Sequence, residues 1–224
     1  MNPAIEQLRG LIVSCQPQAG SALDVPETVA ALARVAQDGG AVAVRVQGAR
    51  NIAAARARVT IPIVGLVKRS YEGFGPYITP TPAEVREVAA AGAHIVAFDA
   101  TPRMRPNGAT LASVVAAVAT EGAIAMADCA TLDDARAAHA LGVPIAATTL
   151  CGYTEQTAGT PLPALDLVRA FQELPVFRIC EGGVHDPRQG RAALDAGADA
   201  VVVGTAITNV DWLVERFAAA LRPA

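Results

Sequence analysis

Four times along this chain a helical stretch runs into a glycine and then straight into an unbroken apolar segment: AQDGGAVAVRV, AAAGAHIVAFDA, HALGVPIAATT and DAGADAVVVG. The glycine (Gly39 or Gly40, Gly92, Gly142, Gly197) stands where a left-handed residue closes a helix. The run after it lacks the polar alternation of a strand with one wet face. Continuous hydrophobicity marks strands covered on both faces, as in a parallel sheet, and the recurrence of the unit is an internal βα repeat.

Extended over the whole chain, the pattern predicts strands at Leu11–Cys15, Ala41–Arg45, Ile63–Lys68, His94–Asp99, Ile124–Asp128, Ile145–Thr149, Val176–Glu181 and Ala200–Gly204. Helical patterns lie between them at Pro26–Gln37, Pro82–Ala91, Leu111–Thr120, Leu132–Leu141, Leu165–Leu174, Pro187–Ala196 and Asp211–Leu221. Thr81, Pro82 and Glu84 spell a capping box with proline at the first helical position, and Asp186 before Pro187 reads as another cap. The segment Pro3–Leu8 is predicted to close a barrel floor. Alternating strands and helices admit an open doubly wound sheet or a closed barrel. Eight even units favour a single (β/α)8 TIM barrel spanning residues 1–224, a length close to the ~200 residues such a barrel needs. The dinucleotide-binding alternative lacks its glycine fingerprint, since SCQPQAG follows the first strand.

Nearly every strand ends on a polar residue: Gln16, Arg45, Lys68, Asp99, Asp128, Thr148 or Thr149, and Glu181. Barrel enzymes assemble their sites from strand C-termini, so these side chains are expected to converge on one mouth. A buried charge there must be paired or hydrogen-bonded. Lys68 would otherwise pair with Asp99 or Asp128, and Asp99 divides evenly between structural pairing and ligand contact. Alternation turns Cys15, Cys129 and Cys180 outward if Gln16, Asp128 and Glu181 point inward. With Cys151 they form no CxxC pair, so reduced packing thiols are expected rather than a metal site or a disulfide framework. His94 and His139 fall away from the mouth and His185 beside it, while Arg103 and Arg105 lie on a loop able to close over the site or to sit in solvent.

The charges argue against polyanionic partners: 18 Lys and Arg are scattered along a chain of net charge −3, without the basic stripe of a nucleic-acid binder. No run reaches the ~18 uncharged apolar residues of a membrane span, and MNPAIEQLRG has no leader pattern. A cytoplasmic address is the expectation.

Nine ordered blocks resemble the bacterial N-acetylmannosamine-6-phosphate 2-epimerases: VSCQ (Val13–Gln16), GLVKR (Gly65–Arg69), YITPT (Tyr77–Thr81), DAT with Arg103, Arg105 and Pro106, MAD (Met126–Asp128), TTLCGYT (Thr148–Thr154), GTP (Gly159–Pro161), EGG (Glu181–Gly183) and VVVGTAIT (Val201–Thr208). The resemblance implies a homodimeric, metal- and cofactor-free isomerase that interconverts N-acetylmannosamine 6-phosphate and N-acetylglucosamine 6-phosphate in sialic-acid and amino-sugar catabolism. It implies Lys68 and Glu181 as the proton-transfer pair, with Gln16, Arg45 and Asp128 on the sugar. Thr149 and Tyr153 of the TTLCGYT block are assigned to the same sugar site. The chain departs from the family at Cys151, where serine is usual, and at Asn209, where a basic residue is usual.

Inverting C2 requires a proton to leave the carbon α to the open-chain aldehyde and another to arrive on the opposite face. A lysine base must be neutral, so its pKa must fall, for which Arg45 and Arg69 are candidate neighbours, whereas a donating Glu181 must be held protonated. Gln16 and Arg45 are placed to meet the enediolate oxygen, and Asp128 to position a sugar hydroxyl or Lys68. The phosphate falls to the loops EGGVH and VGTAITN, through Gly182, Gly183, Gly204, Thr205 and Asn209. Two other readings are a Schiff-base aldolase using Lys68, separable by borohydride trapping, and a sugar-phosphate-binding module without turnover.

Overall fold

The computed structural model describes residues 3–222. Its strands are β1 (Gly10–Ser14), β2 (Ala43–Gln47), β3 (Ile63–Leu66), β4 (Ile95–Asp99), β5 (Ile124–Asp128), β6 (Ile145–Ala147), β7 (Phe177–Glu181) and β8 (Ala200–Val203). All eight pair in parallel and in chain order, and β8 returns to β1 to close a barrel. The helices are α1 (Pro3–Glu6), α2 (Pro26–Asp38), α3 (Ala49–Arg56), α4 (Pro82–Ala90), α5 (Leu111–Thr120), α6 (Leu132–Ala140), α7 (Leu165–Ala170), α8 (Pro187–Asp195), α9 (Thr205–Thr208) and α10 (Val210–Ala220). The expected helix after Leu165 tightens into a 3₁₀ turn at Phe171–Glu173.

The repeat glycines perform the task their spacing implies. Gly40, Gly92, Gly142 and Gly197 all have φ between 87° and 103°, a region that costs a side chain dearly. The capping box at Thr81 is complete, and Asp186 accepts from the amides of Arg188 and Gln189. Two helices have no counterpart in the sequence reading: the four-residue α9, and α3, which buries only Ile52 and Ala55, too narrow an apolar face to show as a helical period.

Side-chain parity sorts the barrel into two layers. Ile12, Val64, Ile95, Met126, Ile145 and Phe177 fill the interior with their same-parity neighbours, and Ile5 and Leu8 join them from below, so α1 closes the floor as expected. The opposite parity packs outward on the helices and includes Cys15 and Cys129, with Cys180 in a satellite cluster. Continued two residues upward, the inward parity reaches Gln16, Arg45, Lys68, Asp99, Asp128, Thr149, Glu181 and Gly204. The polar residues are thus the top layer of a column that is apolar below.

Candidate active site

Above that column opens a cavity of about 530 Å³, whose wall includes Gln16, Arg45, Lys68, Thr149, Tyr153 and Glu181, together with Gly182, Gly183, Gly204, Thr205 and Asn209. Of the residues singled out from the sequence for the sugar and its phosphate, Asp128 alone is missing from the wall. It lies beneath, fully buried, and both its oxygens are engaged. Arg45 Nη1 and Nη2 donate to Oδ1 and Oδ2 at 3.2 and 2.7 Å, and Thr149 Oγ1 donates to Oδ1 at 2.7 Å. In this arrangement the carboxylate orients a guanidinium and a hydroxyl that do reach the cavity.

Arg45 is 1% exposed, which an isolated cation would not tolerate, and its fork on Asp128 is the reason it can be there. Its Nε lies 3.2 Å from Glu181 Oε1, yet that atom makes no hydrogen bond, because the approach is off line. A buried N–H donor is left without an acceptor. Gln16 leaves a complementary orphan: Nε2 donates to Ser14 Oγ at 2.9 Å, while Oε1 is buried with no donor. Buried polar atoms rarely stay unpaired without cause, and ligand atoms are one such cause.

Lys68 and Glu181 stand on opposite walls, at the ends of the third and seventh strands of a ring of eight. Lys68 lies two residues past β3, where it forms an isolated antiparallel bridge with Ile78; Arg69 N donates to Tyr77 O, and Thr79 N to Val67 O. The segment after β3 folds back to hold the lysine, and among the described residues no carboxylate pairs with it within 4.0 Å. The pairing of Lys68 with Asp99 or Asp128 is not formed. Lys68 keeps part of its surface exposed on the cavity wall, and its pKa is lowered by desolvation and by Arg45, against opposing pulls from Glu181 and Asp128. Arg69 plays no part in that shift. It reaches outward to Glu84 at 2.8 Å and Glu87 at 2.9 Å.

Glu181 is held at both ends. Thr148 Oγ1 donates to its carbonyl at 2.8 Å and accepts from its amide at 3.0 Å, and Thr149 Oγ1 lies 3.2 Å from Oε2. Burial pushes its carboxyl up to about 7, aided by Asp128 and opposed by Arg45, Thr149 and Lys68. An acid raised and a base lowered, facing each other over a cavity, are shifted in the directions that proton exchange between them requires.

The far side of the mouth is made of backbone. Gly182 and Gly183 have φ of 104° and 71°, and a Cβ on Gly183 would come within 2.3 Å of Leu162 Cβ, so the loop before α7 presses on this turn. Gly204 also lies close to Ser14, though less tightly, at 3.0 Å for a hypothetical Cβ. Asn209 Oδ1 accepts from Trp212 N at 3.0 Å and caps α10. His185 lines the cavity and stacks on Trp212 with ring centroids 5.3 Å apart. Tyr153 stands on the rim, 59% exposed. Tyr77, Ser14 and Gln47 also line the mouth and were not singled out from the sequence. Parity would have found Ser14 and Gln47, but Tyr77 arrives through a fold-back that leaves no local signal. Asp99 proves structural, accepting from Thr101 and Arg103, and neither Arg103 nor Arg105 lines the mouth. Among the described residues, no group of three or more His, Cys, Asp or Glu is arranged to hold a metal ion.

The model of the family described as "Putative N-acetylmannosamine-6-phosphate epimerase" matches residues 29–223. A curated protein of Cutibacterium acnes named putative N-acetylmannosamine-6-phosphate 2-epimerase is 44% identical over 219 residues, covering 95% of this chain and 94% of its own. One of the same name from Thermosynechococcus vestitus is 46% identical over 224 residues, covering 99% and 97%. Among solved structures, the N-acetylmannosamine-6-phosphate 2-epimerase from Clostridium perfringens superposes with a TM-score of 0.93 at 35% identity over 97% of this chain and 96% of that one.

Proposed function

Since the chain belongs to the N-acetylmannosamine-6-phosphate epimerase family, we propose that it inverts C2 of N-acetylmannosamine 6-phosphate by proton transfer through Lys68 and Glu181. The observation that carries this reading is the opposed placement of the two groups, with their pKa values displaced toward each other.

A sugar lying in the mouth in its open-chain form presents one face of C2 to Lys68 and the other to Glu181. Neutral Lys68 takes the C2 proton, leaving an enolate whose negative charge gathers on the former aldehyde oxygen. Arg45 Nε is the donor available to that oxygen, and the Asp128 fork fixes its direction before substrate arrives. Glu181, protonated through burial, then delivers a proton to the opposite face. In reverse the roles exchange, so the pair carries one proton in both directions. The orphan Gln16 Oε1 suits an N–H or O–H of the sugar, such as the acetamido group, while Thr149 and Tyr153 border the same space. The phosphate falls to Gly182, Gly183, Gly204 and Thr205, where the absent side chains let backbone approach an anion, with Asn209 beside them.

We assign this activity to one domain working as a homodimer. The support is α10, which buries none of its residues and exposes Val210, Val214 and Phe217, with Leu221 following at its C-cap in the same spacing, while Leu11 stands 37% exposed on the outer face of β1. No helix among the described residues is long and apolar enough to cross a membrane. The four cysteines are free and buried, which suits a reducing cytoplasm.

The deciding experiment follows N-acetylmannosamine 6-phosphate by NMR in heavy water. Two separate groups do not return the abstracted proton, so product should carry deuterium at C2 well before recovered substrate does. Equal early labelling of both sugars, or an unlabelled product to which the abstracted proton has been returned, would replace the pair by a single base.

A further inference from the structure

The loop after β4 brings two arginines against one carboxylate. Arg103 Nη2 donates to Asp99 Oδ2 at 2.6 Å and its Nε to Thr101 Oγ1 at 2.9 Å; Arg105 Nη2 donates to the carbonyls of Asp99 at 2.5 Å and Thr101 at 3.2 Å. With Asp99 the loop therefore holds a surplus of one positive charge. Residues 100–120 contain no acid to balance it. Arg105 is 3% exposed, and its Nη1 is buried without a hydrogen-bond partner, an expensive arrangement for a charged donor.

Both arginines line a second cavity of about 480 Å³, which shares no residue with the wall of the mouth. Thr110 and Leu111 at the start of α5 border it too, so the positive end of a ten-residue helix adds to the field. Phe74 and Met104 supply an apolar flank, and none of the lining residues is acidic. An unpartnered buried guanidinium nitrogen, surplus positive charge and a helix N-terminus around one hollow are the parts of an anion site.

We infer that this cavity is a second binding site, distinct from the mouth, that takes the oxyanion of a small metabolite, with a carboxylate or a phosphate as its charged group and carbon atoms against Phe74 and Met104. One surplus charge and a helix end match an anion carrying one to two charges.

The test has a crystallographic and a solution arm. Crystals of the wild-type chain soaked in selenate should show an anomalous selenium peak within hydrogen-bond reach of the Arg105 guanidinium, whatever the mouth contains. In solution, calorimetric titration of the enzyme saturated with N-acetylglucosamine 6-phosphate should still register binding of inorganic phosphate or of pyruvate, and the tighter of the two identifies the oxyanion class. Arg103→Gln removes the surplus charge at a partly exposed position and should weaken that binding about tenfold, with KM for the sugar phosphate unchanged. A selenium peak confined to the mouth, or a heat abolished by the sugar phosphate for both probes, overturns the site. The soak does not depend on the mouth's substrate, so failure of the epimerase reading and failure of this one remain separable.

Discussion

At the scale of single residues, the proposed mechanism rests on a displaced pair and the groups that displace it. Lys68→Ala and Glu181→Gln should each lower turnover by at least ~100-fold, the usual reach of general acid–base groups, with the fold intact by circular dichroism. The pH profile follows from the proton count. The productive states carry one proton on the pair, so kcat/KM should fall below the Glu181 pKa of about 7, where both groups are protonated, and fall again above the lowered Lys68 value, where neither is. An acid limb near the ordinary glutamate value of 4.5 would remove Glu181 from the role. Asp128 raises Glu181, so Asp128→Asn should shift the acid limb downward as well as slow the reaction, an effect that mere loss of structure does not produce. Asn209 offers a different trade. Asn209→Arg gives up the cap on Trp212 N, worth about 1 kcal/mol, and gains a charge beside the glycine loops, so KM for the phosphorylated sugar should drop while Tm falls slightly; an unchanged KM would place Asn209 outside the phosphate site.

At the scale of elements, the active loops are braced by neighbours distant in sequence. Gly183 and Leu162 are the tightest such contact. Gly183→Ala must move either the turn after Glu181 or the loop before α7, and the left-handed φ adds its own cost. We expect at least a tenfold rise in KM with a smaller change in Tm, measured by steady-state kinetics and thermal melts; wild-type KM would mean that the turn holds no substrate atom. The sequence displays the strands, glycine breaks and caps clearly because each is a local pattern. It hides α3, where only Ile52 and Ala55 are buried, and the fold-back of Lys68 on Ile78, because pairing across ten residues leaves no periodicity. It also leaves open how deep Asp128 sits. Residue type and inward parity are the same for a carboxylate that touches substrate and for one that clamps an arginine beneath it, and only depth separates them.

At the scale of the whole molecule, closure of the barrel turns eight strand ends into one ring, so Lys68 and Glu181 face each other without any direct contact between their strands. The same closure leaves α10 as the weakest-held part, with Val214 and Phe217 more than 60% exposed. An apolar stripe of that kind on a metabolic enzyme calls for cover. Light scattering should report a dimer for the wild-type chain, and Phe217→Asp should shift it to a monomer; a wild-type chain that stays monomeric at tens of micromolar would remove the assembly from the reading.

The two-layer parity of the strands also has a bearing on chemical durability. The strand residues that line the mouth point inward, while Cys15, Cys129 and Cys180 point outward beneath helices, and burial raises Cys15 to about 12, Cys180 to about 11 and Cys129 well above its ordinary value. Thiolate is the form that peroxide and alkylating agents attack. An enzyme so arranged keeps its sulfur uncharged and out of reach of anything small enough to enter the mouth, and should go on turning over its sugar in a cell under oxidative stress, when thiol-dependent enzymes around it have stopped.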